Sequence, residues 1–136
     1  MLITRRERFN SAHRLFREDW TDEKNFSVFG KCSNPKWHGH DYTLFVTVKG
    51  EVDYETGFVV NLKALSSLLK EKIIDKVDHK NLNLEVDFMQ GKITSSENIA
   101  IAIWEELEEE ISKLGAQLHC VKLVETENNY VEYLGK

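Results

Sequence analysis

From His38 to Val48 the chain alternates without a break. His38, His40, Tyr42, Leu44, Val46 and Val48 hold one parity, while Gly39, Asp41, Thr43 and Thr47 hold most of the other. Strand side chains point to opposite faces in turn, so this run predicts a β-strand with one continuous face of imidazole, aromatic ring and aliphatic chain. A lone strand cannot bury such a face. It requires neighbouring strands and a layer packed on top of them. Phe9, Ser11 and His13 repeat the alternation over a shorter stretch and predict a first strand. Antiparallel pairing of the two brings His13 beside the His38-Gly39-His40 end.

A His-x-His pair on a strand turns both imidazoles to one side, and a third from the partner strand completes an all-nitrogen set. Neutral imidazole suits zinc, and three such ligands leave a position open for water or a substrate oxygen, as in a catalytic site. His13, His38 and His40 are the expected zinc ligands. A single histidine is ordinarily a core or surface residue, and His119, beside Cys120, reads that way; the pattern of three carries the expectation.

The remaining elements follow from punctuation and period. Residues 14–37 show no periodicity and end in Gly30, Asn34 and Pro35, which predicts an ordered loop anchored by Phe26, Val28 and Phe29. A helix is expected from Asn61 to Val77, with Leu62, Leu65, Leu69 and Ile73 on one face. Asp78 to Asn83 reads as a polar loop. Thr94-Ser95-Ser96-Glu97 matches a capping box and opens a second helix with the stripe Ile99, Ile103, Leu107 and Ile111. The acidic run Glu105–Glu110 is that helix's solvated face. Strands at Gln117–Glu125 and Asn129–Leu134 close the chain. The order ββααββ predicts an α+β fold, an antiparallel sheet with two helices on one face, formed by a single domain over residues 1–136.

Composition sets the surroundings. Net charge is −5, from 18 Lys and Arg against 23 Asp and Glu, which argues against nucleic acid as a partner. The charge is uneven: residues 1–40 carry 8 − 5 = +3 and the rest 10 − 18 = −8, so the third holding the candidate ligands suits a small anionic substrate. No apolar run approaches the roughly 20 residues of a membrane span, and the N-terminus lacks the apolar stretch of a signal peptide. A cytoplasmic location is expected, with Cys32 and Cys120 as free thiols.

Three further residues bear on chemistry. Cys32 lies between Lys31 and Lys36, where a thiolate is favoured. Asp78 and His79 are adjacent, and a carboxylate that orients an imidazole tunes a base. Taken alone, Cys32 reads first as a small loop residue and Asp78 as a helix-terminal turn residue. Glu125 ends an apolar strand, where a carboxylate can accept two hydrogen bonds from a guanidine-like edge such as that of a pterin; the plain alternative is a solvated strand end.

These residues fall into an ordered set of motifs. They are Phe9-Asn10-Ser11-Ala12-His13, Phe29-Gly30-Lys31-Cys32-Ser33-Asn34-Pro35 leading to His38-Gly39-His40, Asp53, Thr56-Gly57, Asn61-Leu62, Asp78-His79-Lys80-Asn81-Leu82, Ser95-Ser96-Glu97-Asn98 and Glu125-Thr126-Glu127-Asn128-Asn129. The chain resembles the 6-pyruvoyl-tetrahydropterin synthase family, which includes 6-carboxytetrahydropterin synthases of queuosine biosynthesis, almost end to end. The resemblance implies the tunnelling fold, with trimers closing a β-barrel and two trimers stacking into a homohexamer with active sites between subunits. It implies zinc on His13, His38 and His40, Cys32 as general base completed by Asp78 and His79, and Glu125 anchoring the pterin with help from Ser95, Ser96 and Glu97. The implied substrate is 7,8-dihydroneopterin triphosphate. One branch stops at 6-pyruvoyl-tetrahydropterin; the other releases acetaldehyde and yields 6-carboxytetrahydropterin. Five residues separate Cys32 from His38, a spacing that looks like the pyruvoyl branch, and Trp37 is a departure from the family pattern. A zinc-holding pterin-binding protein without turnover is the reading of a different class, and a cysteine hydrolase built on Cys32, His79 and Asp78 is another.

Overall fold

The computed structural model describes residues 1–136. Its frame is a long antiparallel ladder between β1 (Leu2–His13) and β2 (His38–Lys49), in register from Leu2 opposite Lys49 to His13 opposite His38. β4 (Gln117–Thr126) pairs antiparallel with β2, and β5 (Asn129–Tyr133) with β4. β3 (Lys80–Asn81) runs parallel to β1 at Ser11 and Ala12, giving the order β3-β1-β2-β4-β5. The sheet is therefore mixed, where an all-antiparallel sheet was expected. Two residues inside a polar loop carry no strand signal; β3 forms because Leu82 and His79 donate backbone hydrogen bonds to the Ala12 and Asn10 carbonyls.

One sheet face is covered. Phe9, Tyr42, Leu44, Val46, Val48, Val121 and Leu123 meet Leu65, Leu69 and Ile73 on one side and Ile99, Ile103, Leu107 and Ile111 on the other, all buried. Burying each such aliphatic side chain contributes about 1.5–3 kcal/mol. The first of these helices is capped by Asn61, whose side chain accepts from Lys63 and Ala64 N–H. It is α2 (Leu62–Leu69), continued through one π-helical turn (Lys70–Ile74) into α3 (Asp75–Val77). Leu62, expected on the packed face, is exposed at the helix's first position. The second is α4 (Ser96–Lys113), with Glu105, Glu108 and Glu109 turned to solvent. No helix is long and apolar enough to cross a membrane.

Two local expectations are corrected. The segment 14–37 is not irregular: it holds α1 (Asp22–Phe29) and a 3₁₀ turn (Gly30–Ser33). Thr21 caps α1 by accepting from Lys24 N–H, and Asp22 and Glu23 complement the helix dipole. No apolar period announced the helix because its buried residue is polar: Asn25 exchanges two hydrogen bonds with the Arg17 backbone, while Phe26 and Val28 stay exposed. At α4 the cap is Ser95, which accepts from Asn98 N–H, and not Thr94. Thr94 is buried and its hydroxyl is engaged elsewhere.

Candidate functional site

The site begins at one end of the β1–β2 ladder. His13 and His38 are directly opposed, and His40 faces Ser11 two positions along on the same side. Their rings meet edge to face, with centroids 4.5 Å (13–38), 5.1 Å (13–40) and 5.0 Å (38–40) apart. One nitrogen from each lies within 4.8 Å of the others. Strand alternation thus delivers two imidazoles from β2, and antiparallel register delivers the third from β1.

The protonation pattern suits a cation. His13 Nδ1 faces the Thr94 carbonyl at 2.8 Å, and a carbonyl only accepts, so Nδ1 carries the proton and Nε2 is the free electron pair. Burial holds the His13 pKa down to about 4 and lowers that of His38, so both are neutral near pH 7. His13 Nε2 and both ring nitrogens of His38 are buried without a hydrogen-bond partner. An unsatisfied buried polar atom costs about 1–3 kcal/mol, which an ion bound among these nitrogens would offset. Three converging imidazoles, with unpartnered nitrogens on His13 and His38, fit zinc well. An orienting carbonyl on the far nitrogen is the usual outer support of a metal-binding histidine.

Tyr42, the next residue of that parity, floors the cluster, its ring 5.6 Å from that of His40. Its hydroxyl is buried and unpartnered, and burial pushes its pKa up, so it stays a neutral phenol. Its parity with the two histidines was the available signal for this role. On the opposite side Glu125 Oε1, from β4, lies 3.8 Å from His40 Nε2, and Ser96 donates to Glu125 Oε2 at 2.8 Å. The Ser96–Glu125 pair places the start of α4 at the end of β4. Ser95 uses its oxygen as the helix cap, and the exposed Glu97 carboxylate makes no hydrogen bond or ion pair.

Asp78 and His79 lie elsewhere, against the outer edge of β1. Asp78 Oδ1 accepts from Asn10 N–H at 2.9 Å and Oδ2 meets His79 Nδ1 at 3.0 Å; the Asn10 bond, foremost, holds the carboxyl below its usual range. His79 has a left-handed backbone, φ 59°, and its side chain is 82% exposed. Cys32 is exposed on the 3₁₀ turn, whose carbonyl at that residue accepts from Leu15 N–H at 2.8 Å. No hydrogen bond of this chain joins Cys32 to Asp78 or His79. Flanking Cys32 is a cavity of about 480 Å³ whose lining includes Arg14, Asp22, Lys31, Ser33 and Asn34. Trp37, immediately before His38, is also left-handed (φ 70°) and packs edge-on against Phe16 at 6.4 Å.

Sequence and structure comparisons place this arrangement. A family profile described as 6-pyruvoyl tetrahydropterin synthase matches residues 2–136. A 6-pyruvoyl tetrahydrobiopterin synthase of Dictyostelium discoideum is 43% identical over 136 residues, covering 100% of this chain and 97% of the relative. The solved structure of Caenorhabditis elegans 6-pyruvoyl tetrahydropterin synthase superposes with a TM-score of 0.93 at 37% identity, covering 100% of this chain and 96% of that one. A 6-carboxy-5,6,7,8-tetrahydropterin synthase of Bacillus subtilis is 32% identical, covering 79% of this chain and 73% of the relative. Matched from end to end in sequence and in fold, the chain belongs to the 6-pyruvoyl tetrahydropterin synthase family.

Proposed function

We propose that this chain is a zinc-dependent lyase that converts 7,8-dihydroneopterin triphosphate to 6-pyruvoyl-tetrahydropterin and triphosphate. The observation that carries the reading is the three-imidazole cluster with the Ser96-held Glu125 carboxylate 3.8 Å from His40. His13, His38 and His40 would hold the metal. A zinc ion there supplies a Lewis acid that stabilises charge on the substrate's side-chain oxygens and so acidifies the adjacent C–H bonds. Glu125 accepts hydrogen bonds from the amino-pyrimidinone edge of the pterin and fixes its distance from the cluster. Cys32 takes a side-chain proton as thiolate, and His79, oriented by Asp78, returns one. The reaction is internally balanced: the two hydroxyl-bearing carbons become ketones, giving up four electrons. Two reduce the ring C=N bond, and two stay with the terminal side-chain carbon, which loses triphosphate with the C–O bonding pair and is protonated to a methyl group. No external oxidant or reductant enters. Arg14 and Lys31, which line the cavity beside Cys32, would meet the anionic triphosphate.

The lack of any hydrogen bond between Cys32 and Asp78 or His79 within one chain supports a site shared between subunits, in the family's hexamer of two stacked trimers. The exposed His79 then serves a neighbouring protomer. The pyruvoyl product is favoured over the carboxy product by the higher identity and coverage of the pyruvoyl-named relative and by the five-residue spacing from Cys32 to His38. The test is a mass-spectrometric product assay on the zinc-loaded protein with 7,8-dihydroneopterin triphosphate. A 6-pyruvoyl product lost on chelation supports the reading. 6-Carboxytetrahydropterin with acetaldehyde assigns the other branch, and the absence of any chelator-sensitive turnover leaves a pterin-binding protein.

A further inference from the structure

Asn83 lies outside every motif that carries the family resemblance, yet its amide is the hub of the hydrogen bonds behind His13. Oδ1 accepts from Arg14 N–H at 3.0 Å and from the Thr94 hydroxyl at 3.1 Å, and Nδ2 donates to the Arg14 carbonyl at 2.9 Å. The Thr94 hydroxyl also lies 3.3 Å from that carbonyl. Thr94 is fully buried, and its own carbonyl receives the Nδ1–H of His13. One side chain therefore ties the residue that follows His13 to the residue whose carbonyl orients His13, across 69 positions of sequence on one side and 11 on the other.

We propose that Asn83 is a positioning residue for His13: through Thr94 and the Arg14 backbone it fixes the Nδ1–H tautomer and the ring direction, so that Nε2 faces His38 and His40. The amide is required because this place needs an acceptor and a donor at once. An aspartate of the same shape sets an oxygen against the Arg14 carbonyl. Outer partners of metal-binding histidines typically change metal affinity by about 10–100-fold when removed. The size of that effect rests on the zinc reading of the cluster; the tautomer does not.

The experiment uses the full chain with Asn83→Asp, Thr94→Val and Thr94→Ser, the last keeping the hydroxyl. Long-range ¹H–¹⁵N NMR of the metal-free protein reads the His13 tautomer, competition with a chromogenic chelator reads zinc affinity, and thermal melting reads the fold. The parent and Thr94→Ser are expected to show His13 protonated on Nδ1. Asn83→Asp and Thr94→Val are expected to show mixed tautomers and zinc binding about 10–100-fold weaker. A lowered melting point with tautomer and zinc affinity both unchanged would mean a merely structural role and overturn the inference, as would a parent protonated on Nε2. If Asn83→Asp does not fold, Thr94→Val, which loses one hydroxyl at constant shape, decides alone. A parent that binds no zinc but keeps the Nδ1–H tautomer sinks the metal reading, and the tautomer of the variants still decides the role of Asn83.

Discussion

The three-histidine cluster and the Asp78–His79 pair both border β1, and they are opposites in construction. His13 is 1% exposed, its backbone paired with His38 at the end of the β1–β2 ladder and its ring held by Thr94. His79 projects from the sheet's edge with 82% of its side chain in solvent, held through its backbone and a single carboxylate. A metal site needs ligands fixed before the ion arrives, and interior strands supply that rigidity. A proton donor that completes a site across a subunit boundary must instead stand clear of its own chain. Under the proposed function, burial tracks the partner each group would meet: a small ion inside, a second protein surface outside.

Breaking the buried half should have the largest effect. His38→Ala removes a ligand from the cluster and is expected to abolish stoichiometric zinc binding and lower kcat/KM by about three orders of magnitude or more, read by metal analysis and product formation. Cys32→Ala should retain zinc while kcat falls about 10²–10⁴-fold, the range of a lost general base; retained turnover would remove Cys32 from the chemistry. Mixing Cys32→Ala and His79→Ala chains under dissociating and reassociating conditions sharpens the comparison further. If the exposed pair serves a neighbour, mixed assemblies recover activity that neither variant has. No recovery would confine the site to one protomer.

Acid should separate the two regions next. The folded-state pKa of His13 is depressed from 6.5 to about 4, so its contribution to stability is complete above pH 6.5 and lost as pH falls toward 4. For the metal-free protein this amounts to about 3 kcal/mol, since each pKa unit corresponds to about 1.4 kcal/mol. Denaturant titrations across that window should show the decline, and His13→Phe should flatten it. Asp78, also depressed, adds its loss only in the carboxylate range below that window, and Asp78→Asn should change the acid limb there alone. The smallest effect is expected at the cavity. Lys31→Met should raise KM for the triphosphate substrate about tenfold with kcat nearly unchanged, because a point charge on an exposed phosphate contributes modestly.

The part of the site legible in sequence was the part written locally. His-x-His on a strand fixes relative direction within three residues, and the pairing of two alternating strands supplied His13. Thr94 and Asn83 were not legible as His13's support, because their partners lie up to 81 positions away and use backbone atoms that carry no sequence signature. The cap shift at α4 has the same origin. Thr94 and Ser95 both satisfy the capping rule, and the tertiary pull of Arg14 and Asn83 on the Thr94 hydroxyl decides between them. The helix α1 was hidden because its anchor is a buried amide, which hydrophobic periodicity cannot register. Two-residue β3 depends wholly on β1 for its existence.

Trp37 holds a left-handed backbone that costs an L-residue roughly 1–2 kcal/mol and that glycine adopts freely. A tryptophan codon is one base from a glycine codon, so the opposite choice is always within mutational reach. A glycine there would relieve that cost, offset in part by its extra freedom in the unfolded chain, and would strip the indole from Phe16. Keeping the ring is thus a standing expenditure of stability for stiffness in the residue that leads into His38, and the position is one where selection can trade the two without touching a ligand.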